Sequence, residues 1–368
     1  MAIRRSLFRF LSLSFILPAV VISGCGGGAE NAPGSSPTAS TGTPPAASPA
    51  STKAGGPRII FVTNSNADWW NAMEKGMQDG AKEFGVNAEM RRNEQQSQGQ
   101  IRLLEDALSL DDVAGVAVSV FEAESPGIAD ALRRLKDAGK VVITVDSDIA
   151  ANNADARRAY IGTFNVKAGE SAGKAATAIR PDGGKSAVFV GTAAAANARE
   201  RRDGFFAGAG SKFTQVEIFE DQTDKNKAAV NVQTALSKYP DLGVLVGLWS
   251  YNAPRIAEEV SRTAEIRKKV SVVTFDLDEL AVGHLEKKNI DATVCQNPYD
   301  MGYLGVKLLK ALINKDDKTV AEVLPDGKVR DTGVRIVVPD KSSPVKGDNV
   351  MTIEEMKAWL ASKGLKST

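Results

Sequence analysis

Residues 58–70 read Arg58-Ile59-Ile60-Phe61-Val62-Thr63-Asn64-Ser65-Asn66-Ala67-Asp68-Trp69-Trp70, and this stretch decides the fold. Ile59 to Thr63 is a short apolar run without alternation, the pattern of a strand covered on both faces. A polar loop follows it. Trp70, Met73, Met77, Ala81 and Phe84 then recur at spacings of three and four, one face of a helix that Gly85 ends. A buried strand feeding an amphipathic crossover helix is the repeating unit of a parallel sheet.

The same rhythm runs down the chain. Gly115–Val120 and Val141–Val145 read as strands, separated by a helix that Ser125 caps, Pro126 opens and Gly139 closes. Further strands are expected at Ser186–Gly191, Val216–Phe219, Gly243–Gly247, Val270–Phe275 and Ile290–Val294, each followed by a helical pattern. Thr352-Ile353-Glu354-Glu355 is a capping box opening a last helix through Ala361. So many units exceed one ordinary open sheet, so the expected fold is α/β with two Rossmann-like lobes.

Upstream of Arg58 the chain changes character. Residues 1–24 carry Arg4, Arg5 and Arg9 and then the apolar run Phe10–Ile22, too short for a membrane span. The run ends in Ile22-Ser23-Gly24-Cys25, which resembles the lipobox of bacterial lipoprotein signals. Residues 1–24 are therefore expected to be a signal peptide, with Cys25 lipidated through its sulfur. Residues 25–57 are expected to form a tether; from Gly26 on it is rich in Gly, Pro, Ser and Ala, with only Glu30 and Lys53 charged. Such a composition cannot offset its ordering entropy by burial, and a flexible segment of this length reaches roughly 30 Å.

Composition excludes several function classes. The formal charge is +1, and without the three leader arginines it becomes −2, which leaves no basic stripe for nucleic acid. His284 is the one histidine in the chain, which argues against His-based triads and His-rich metal sites. Cys295, the one cysteine of the folded body, reads as a small buried hydrophobe. No cofactor and no metal are expected, and the chain reads as a monomer.

In open α/β sheets a ligand sits beyond the carboxyl ends of the strands. Those ends carry Asn64 to Trp70; Asp146, Ser147 and Asp148; Asn197 and Arg201, one helical turn apart; Trp249, Tyr251 and Asn252; Asp276; and Gln296. Amides, carboxylates and a guanidinium suit hydroxyl groups, and flat aromatic faces suit apolar C–H faces. A sugar combines both.

The same residues carry a family resemblance. Asn64–Trp70, Val145-Asp146-Ser147-Asp148, Tyr160-Ile161-Gly162-Thr163, Asn197…Arg201…Gly204-Phe205, Tyr251-Asn252-Ala253-Pro254, Thr274-Phe275-Asp276 and Gln296-Asn297-Pro298-Tyr299 occur in the order of one family. From Arg58 onward the chain resembles the type I periplasmic sugar-binding proteins, the ribose- and glucose-binding-like solute-binding proteins of ABC importers. Asp-Ser-Asp, Tyr-Asn-Ala-Pro and Asp331-Thr332-Gly333-Val334 are similar to a glucose-binding branch.

The resemblance implies two lobes joined by three crossovers, near Thr163–Asn165, Gln296–Pro298 and Asp326–Thr332. It divides the body into residues 58–164 plus 297–326 and residues 165–296 plus 327–368. It implies ligand-binding roles for Trp69, Trp70, Asp146, Asp148, Asn197, Arg201, Trp249, Asn252, Asp276 and Gln296. Phe164 stands where the family string has Asp, and Val120 and Phe121 replace a Pro/Thr-type loop. Ser147 replaces the arginine of the ribose branch, so pentose specificity does not carry over.

The expected function is extracytoplasmic capture of a monosaccharide, a hexose favoured, for delivery to an ABC importer. The alternative partner is a chemoreceptor or sensor kinase. A sugar-responsive repressor would need a helix-turn-helix before Arg58, and none is present. No phosphate-cradling loop, metal cluster or nucleophile motif appears, so an enzyme is not expected.

Overall fold

The computed structural model describes residues 56–94 and 96–368. The expected signal peptide, Cys25 and all but the end of the expected tether lie outside the described residues.

The first lobe holds β1 (Arg58–Val62), β2 (Asn87–Arg91), β3 (Val113–Val118), β4 (Val141–Asp146) and β5 (Tyr160–Gly162). The second holds β6 (Gly184–Val190), β7 (Phe213–Glu220), β8 (Leu242–Gly247), β9 (Ser271–Phe275) and β10 (Ala292–Cys295). Both sheets have the same order, counted within each lobe: second, first, third, fourth, fifth. This doubly wound order places a ligand crevice at the carboxyl ends of the strands. The late strands β11 (Val329–Asp331), β12 (Arg335–Val338) and β13 (Val350–Thr352) extend the edges. β11 joins β5 in the first sheet, and β12 joins β10 in the second as its antiparallel pair.

The unbroken apolar run Ile59–Val62 is explained by its neighbours. Ile59 and Phe61 pack into one core with Met73, Ile143 and Leu309, while Ile60 and Val62 pack into another with Leu104, Val116 and Leu132. A strand between two helix layers needs apolar side chains at every position. The expected caps also form. Ser125 accepts from the Ile128 N–H, Gly85 ends its helix at a φ of 64°, and Thr352 and Glu355 make the reciprocal box.

β2, an edge strand whose five residues are all half-buried, and the short strands β5, β11, β12 and β13 are not among the expected strands. One boundary also moves. The third crossover was expected from Asp326, but Val329–Asp331 pairs in parallel with Tyr160–Gly162. The backbone hydrogen bonds of that pairing keep the chain in the first sheet to Asp331, so the crossing falls between Asp331 and Arg335.

The three crossovers bond to one another. Thr163 Oγ1 in the first donates to Gln296 Oε1 in the second at 3.0 Å. Phe164 N–H donates to Asp331 Oδ1 at 3.1 Å, and Thr332 N–H donates to Gly162 O at 2.8 Å. Asp331, where the third crossover begins, thus supplies a carboxylate to the first, where Phe164 itself offers none.

In the second lobe, helices Asn165–Ile179 and Ala196–Ala209 approach with backbones nearly touching. A Cβ on Gly204 would stand 2.1 Å from Val166 O, and one on Gly169 would stand 2.3 Å from Arg201 O. Glycine is required at this crossing, and the crossing sets the height of Arg201.

Candidate ligand-binding site

A cavity with about 350 Å³ of empty space lies between the lobes at the carboxyl ends of both sheets. Of the ten residues expected to bind ligand, eight line it: Trp69, Trp70, Asp146, Asn197, Arg201, Trp249, Asp276 and Gln296.

Asp146 ends β4 and Asp276 follows β9. Asp146 Oδ2 accepts from Ser119 Oγ at 2.7 Å and, at 3.5 Å, from Asn64 Nδ2. Asp276 Oδ1 accepts from the Gln296 N–H at 2.9 Å, and its Oδ2 accepts from Gln296 Nε2 at 2.8 Å. Burial pushes the Asp146 carboxyl up to about 6, with Arg201 pulling it back down and Asp276 adding like-charge repulsion. Burial raises the Asp276 carboxyl as well, again against the opposing pull of Arg201. Two desolvated carboxylates thus face one guanidinium.

Arg201 is 1% exposed. Its Nε donates to Asn165 Oδ1 at 2.9 Å and its Nη1 to Leu248 O at 2.8 Å, and the guanidinium lies 4.7 Å from the Phe275 ring centroid. Among the described residues its Nη2 has no hydrogen-bond partner. Neither has Trp69 Nε1, which bears on the Asp276 carboxylate from across the cleft but falls short of hydrogen-bond geometry. Buried donors without partners are costly and point to a missing acceptor.

The aromatic walls are fixed. Trp69 and Trp70 meet edge to face with centroids 4.9 Å apart, and Trp70 Nε1 donates to Ser65 Oγ at 3.1 Å. Trp249 Nε1 donates to Asn197 Oδ1 at 3.2 Å. Trp249 also packs against Gly191, where a Cβ would stand 2.1 Å from the indole ring.

Two expected residues lie outside the cavity. Asp148 turns away into an ion pair with Arg157, and it also accepts from Thr144 Oγ1 at 2.6 Å and from its neighbour's N–H, Ile149, at 2.8 Å. A carboxylate so well paired is held off the cleft. Asn252 opens the helix Asn252–Val260. Its Oδ1 accepts from the Trp249 N–H at 3.1 Å, and its Nδ2 donates to Asp221 Oδ2 at 3.0 Å, so it braces the wall without forming it. Tyr251, Ser250, Asn64, Ser65 and Ala67 do line the cavity. They sit on the same strand-end loops, and that position was the signal for them.

The lobes are closed on each other at the rim. Lys225 Nζ reaches Asp68 Oδ2 at 3.3 Å, Gln96 Nε2 donates to Gln222 Oε1 at 3.5 Å, and Ala123 and Ala150 pack against Ala196. Among the described residues, no group of three or more His, Cys, Asp or Glu is placed to hold a metal ion.

The model of the periplasmic binding protein domain family matches residues 58–317. The chain belongs to that family. Membership implies an extracytoplasmic location. This binding protein is 28% identical over 261 residues to the D-allose-binding periplasmic protein of Escherichia coli, covering 68% of this chain and 82% of that one. Among solved structures, a solute-binding protein from Burkholderia graminis in complex with D-arabinose superposes with a TM-score of 0.70 at 25% identity, over 80% of this chain and all of that one. A glucose-galactose binding protein from Geobacillus stearothermophilus gives 0.68 at 26% identity, over 78% of this chain and 98% of that one. These relatives are binding proteins and not enzymes, and this chain is read the same way.

Proposed function

We propose that this protein captures an unmodified neutral monosaccharide, a hexose by preference, between its lobes and delivers it to an ABC importer. The observation that carries this reading is the cavity itself. Trp69 and Trp249 line it with Asp146, Asp276 and Arg201, while Arg201 Nη2 and Trp69 Nε1 have no hydrogen-bond partner among the described residues. Ring hydroxyls both donate and accept, so one sugar supplies acceptors for those two donors and donors for the two carboxylates. Indole faces suit its C–H surface. One guanidinium facing two carboxylates suits a neutral ligand far better than a phosphorylated or acidic one. The relatives that take allose, arabinose, or glucose and galactose support the sugar class. The loss of the ribose-branch arginine at Ser147 supports a hexose.

The reading includes an anchor at Cys25 and a tether that lets the closed, loaded lobes search for the importer from the membrane surface. Calorimetric titration with neutral hexoses, pentoses, sugar phosphates and amino acids tests it, with the sugar assayed for turnover. Saturable binding of a neutral sugar without consumption supports the reading. Binding of a sugar phosphate or amino acid in its place overturns it.

A further inference from the structure

Asp221 takes no part in the site described above, yet it is fully buried one layer behind it. It follows β7 and begins a turn in which Gln222 and Thr223 both hold positive φ, 59° and 68°. Among the described residues it has no ion-pair partner; instead three donors converge on it. Tyr251 hydroxyl and Thr223 N–H donate to Oδ1 at 2.5 and 2.9 Å, and Asn252 Nδ2 donates to Oδ2 at 3.0 Å.

Two of those donors lead to the cavity wall. Tyr251 lines the cavity and meets Trp249 edge to face, with centroids 6.4 Å apart. Asn252 accepts the Trp249 N–H with its Oδ1, which fixes its amide so that its Nδ2 must point at Asp221. Gly191 closes the arrangement: a Cβ there would stand 2.8 Å from the Tyr251 hydroxyl and 2.1 Å from the Trp249 ring. The wall is packed against bare backbone on one side and pinned by a single carboxylate on the other.

We infer that Asp221 is a positioning residue for the second-lobe wall, holding Tyr251 directly and Trp249 through Asn252, and so setting which sugar stereoisomers fit against that wall. The inference rests on the proposed sugar site for its ligand and on the geometry above for the rest. Only an acceptor-only group satisfies all three donors. An amide would set its own N–H₂ against either Asn252 Nδ2 or the Thr223 N–H, so one contact is lost in either orientation. The wall of Tyr251 and Trp249 then gains freedom while the other cavity-lining residues stay in place.

The test uses Asp221→Asn and Tyr251→Phe in the intact protein, titrated with D-allose, D-glucose, D-galactose, D-ribose and D-arabinose. Asp221→Asn is expected to weaken the best-bound sugar at least fivefold and to shrink the ratio between best and second-best sugars. Tyr251→Phe is expected to reproduce part of that loss, and the double variant to lose less than the product of the two. Unchanged affinity and ratio in a folded Asp221→Asn overturn the inference; if that variant does not fold, unchanged values in Tyr251→Phe do so. A readout independent of ligand separates this from failure of the sugar reading. The near-ultraviolet circular dichroism of Trp249, isolated by difference from Trp249→Phe, should be reduced in sugar-free Asp221→Asn and Tyr251→Phe. A wild-type Trp249 band in both overturns the inference even if no sugar binds.

Discussion

Asp146 and Asp276 occupy the same place in the two lobes, at the carboxyl end of each fourth strand, and both hold left-handed backbone conformations with φ of 60° and 61°. A non-glycine residue there costs on the order of 1 kcal/mol and persists only where its surroundings hold it. Ser119 holds the first and Gln296 the second. The left-handed turn takes each carboxylate out of its strand's alternation and into the cleft. Doubling of one strained aspartate across two lobes of equal topology makes the site a matched pair of jaws.

That pair makes binding depend on pH. Burial lifts the Asp146 carboxyl to about 6, and Asp221 likewise to about 6, against about 3.9 in an unfolded chain. Each group therefore favours the free fold most below about pH 4, and this contribution is lost as pH rises through about 6. Keeping Asp146 ionised at neutral pH costs about 3 kcal/mol by this shift. Sugar hydroxyls donate to the ionised form and lower the carboxyl again, so affinity should rise between about pH 5 and 7 and level off above. Calorimetry across that range checks the sign, and proton release on binding at pH 6 checks the cause. A flat profile would mean that the carboxylates do not face the ligand.

The hinge supplies a second expectation. Thr163→Val keeps the shape of the crossover but leaves Gln296 Oε1 without its donor. Losing one buried hydrogen bond is worth about 1 kcal/mol, or roughly a fivefold drop in sugar affinity. Small-angle scattering should show less compaction at a given sugar concentration than in the wild type. Wild-type affinity would show that the crossovers close without this bond.

How much of this was legible in the sequence differs by layer. Strands buried on both faces, such as Ile59–Val62, announce themselves because two helix layers demand apolar residues at every position. Edge strand β2 carries Asn87, Glu89 and Arg91 and gave no such signal. Most of the cavity was legible for a topological reason, since the carboxyl ends of the strands are fixed by the fold. What sequence could not supply was side-chain direction. Asp148 and Asn252 stand on the right loops, but Arg157 draws one away and the Trp249 backbone claims the other. Asp221 was invisible because its role is defined by partners thirty positions down the chain.

The close helix crossing behind Arg201 gives a stability prediction. Gly204→Val would force a side chain into the space occupied by Val166 O. Overpacking of this kind costs typically 1–3 kcal/mol, and backbone against backbone has little room to relax. Thermal denaturation should show a lowered midpoint, and sugar affinity should fall as Arg201 is displaced. A midpoint equal to the wild type would contradict the crossing as described.

The anchor is tested apart from the site. Cys25→Ser is expected to leave a folded protein that binds sugar with unchanged affinity and leaves the membrane fraction. Lipid on Cys25 would supply location and not affinity. Mass spectrometry of the wild-type chain should find acylated Cys25 as the first residue, and an unmodified chain in the membrane fraction would remove the anchor.

The most direct test is calorimetric titration of Arg201→Ala and Asp276→Ala with the best-bound sugar, beside Arg199→Ala and Arg202→Ala as controls. Arg201 and Asp276 are buried on the cavity, whereas Arg199 and Arg202 are partly exposed and pair with Glu124 and Asp203. A buried charge left short of partners costs about 1–3 kcal/mol or more, so either cavity variant should lose at least tenfold in affinity while the controls stay near wild type. Wild-type affinity in both Arg201→Ala and Asp276→Ala would contradict the account, because the sugar would then bind somewhere other than between these lobes.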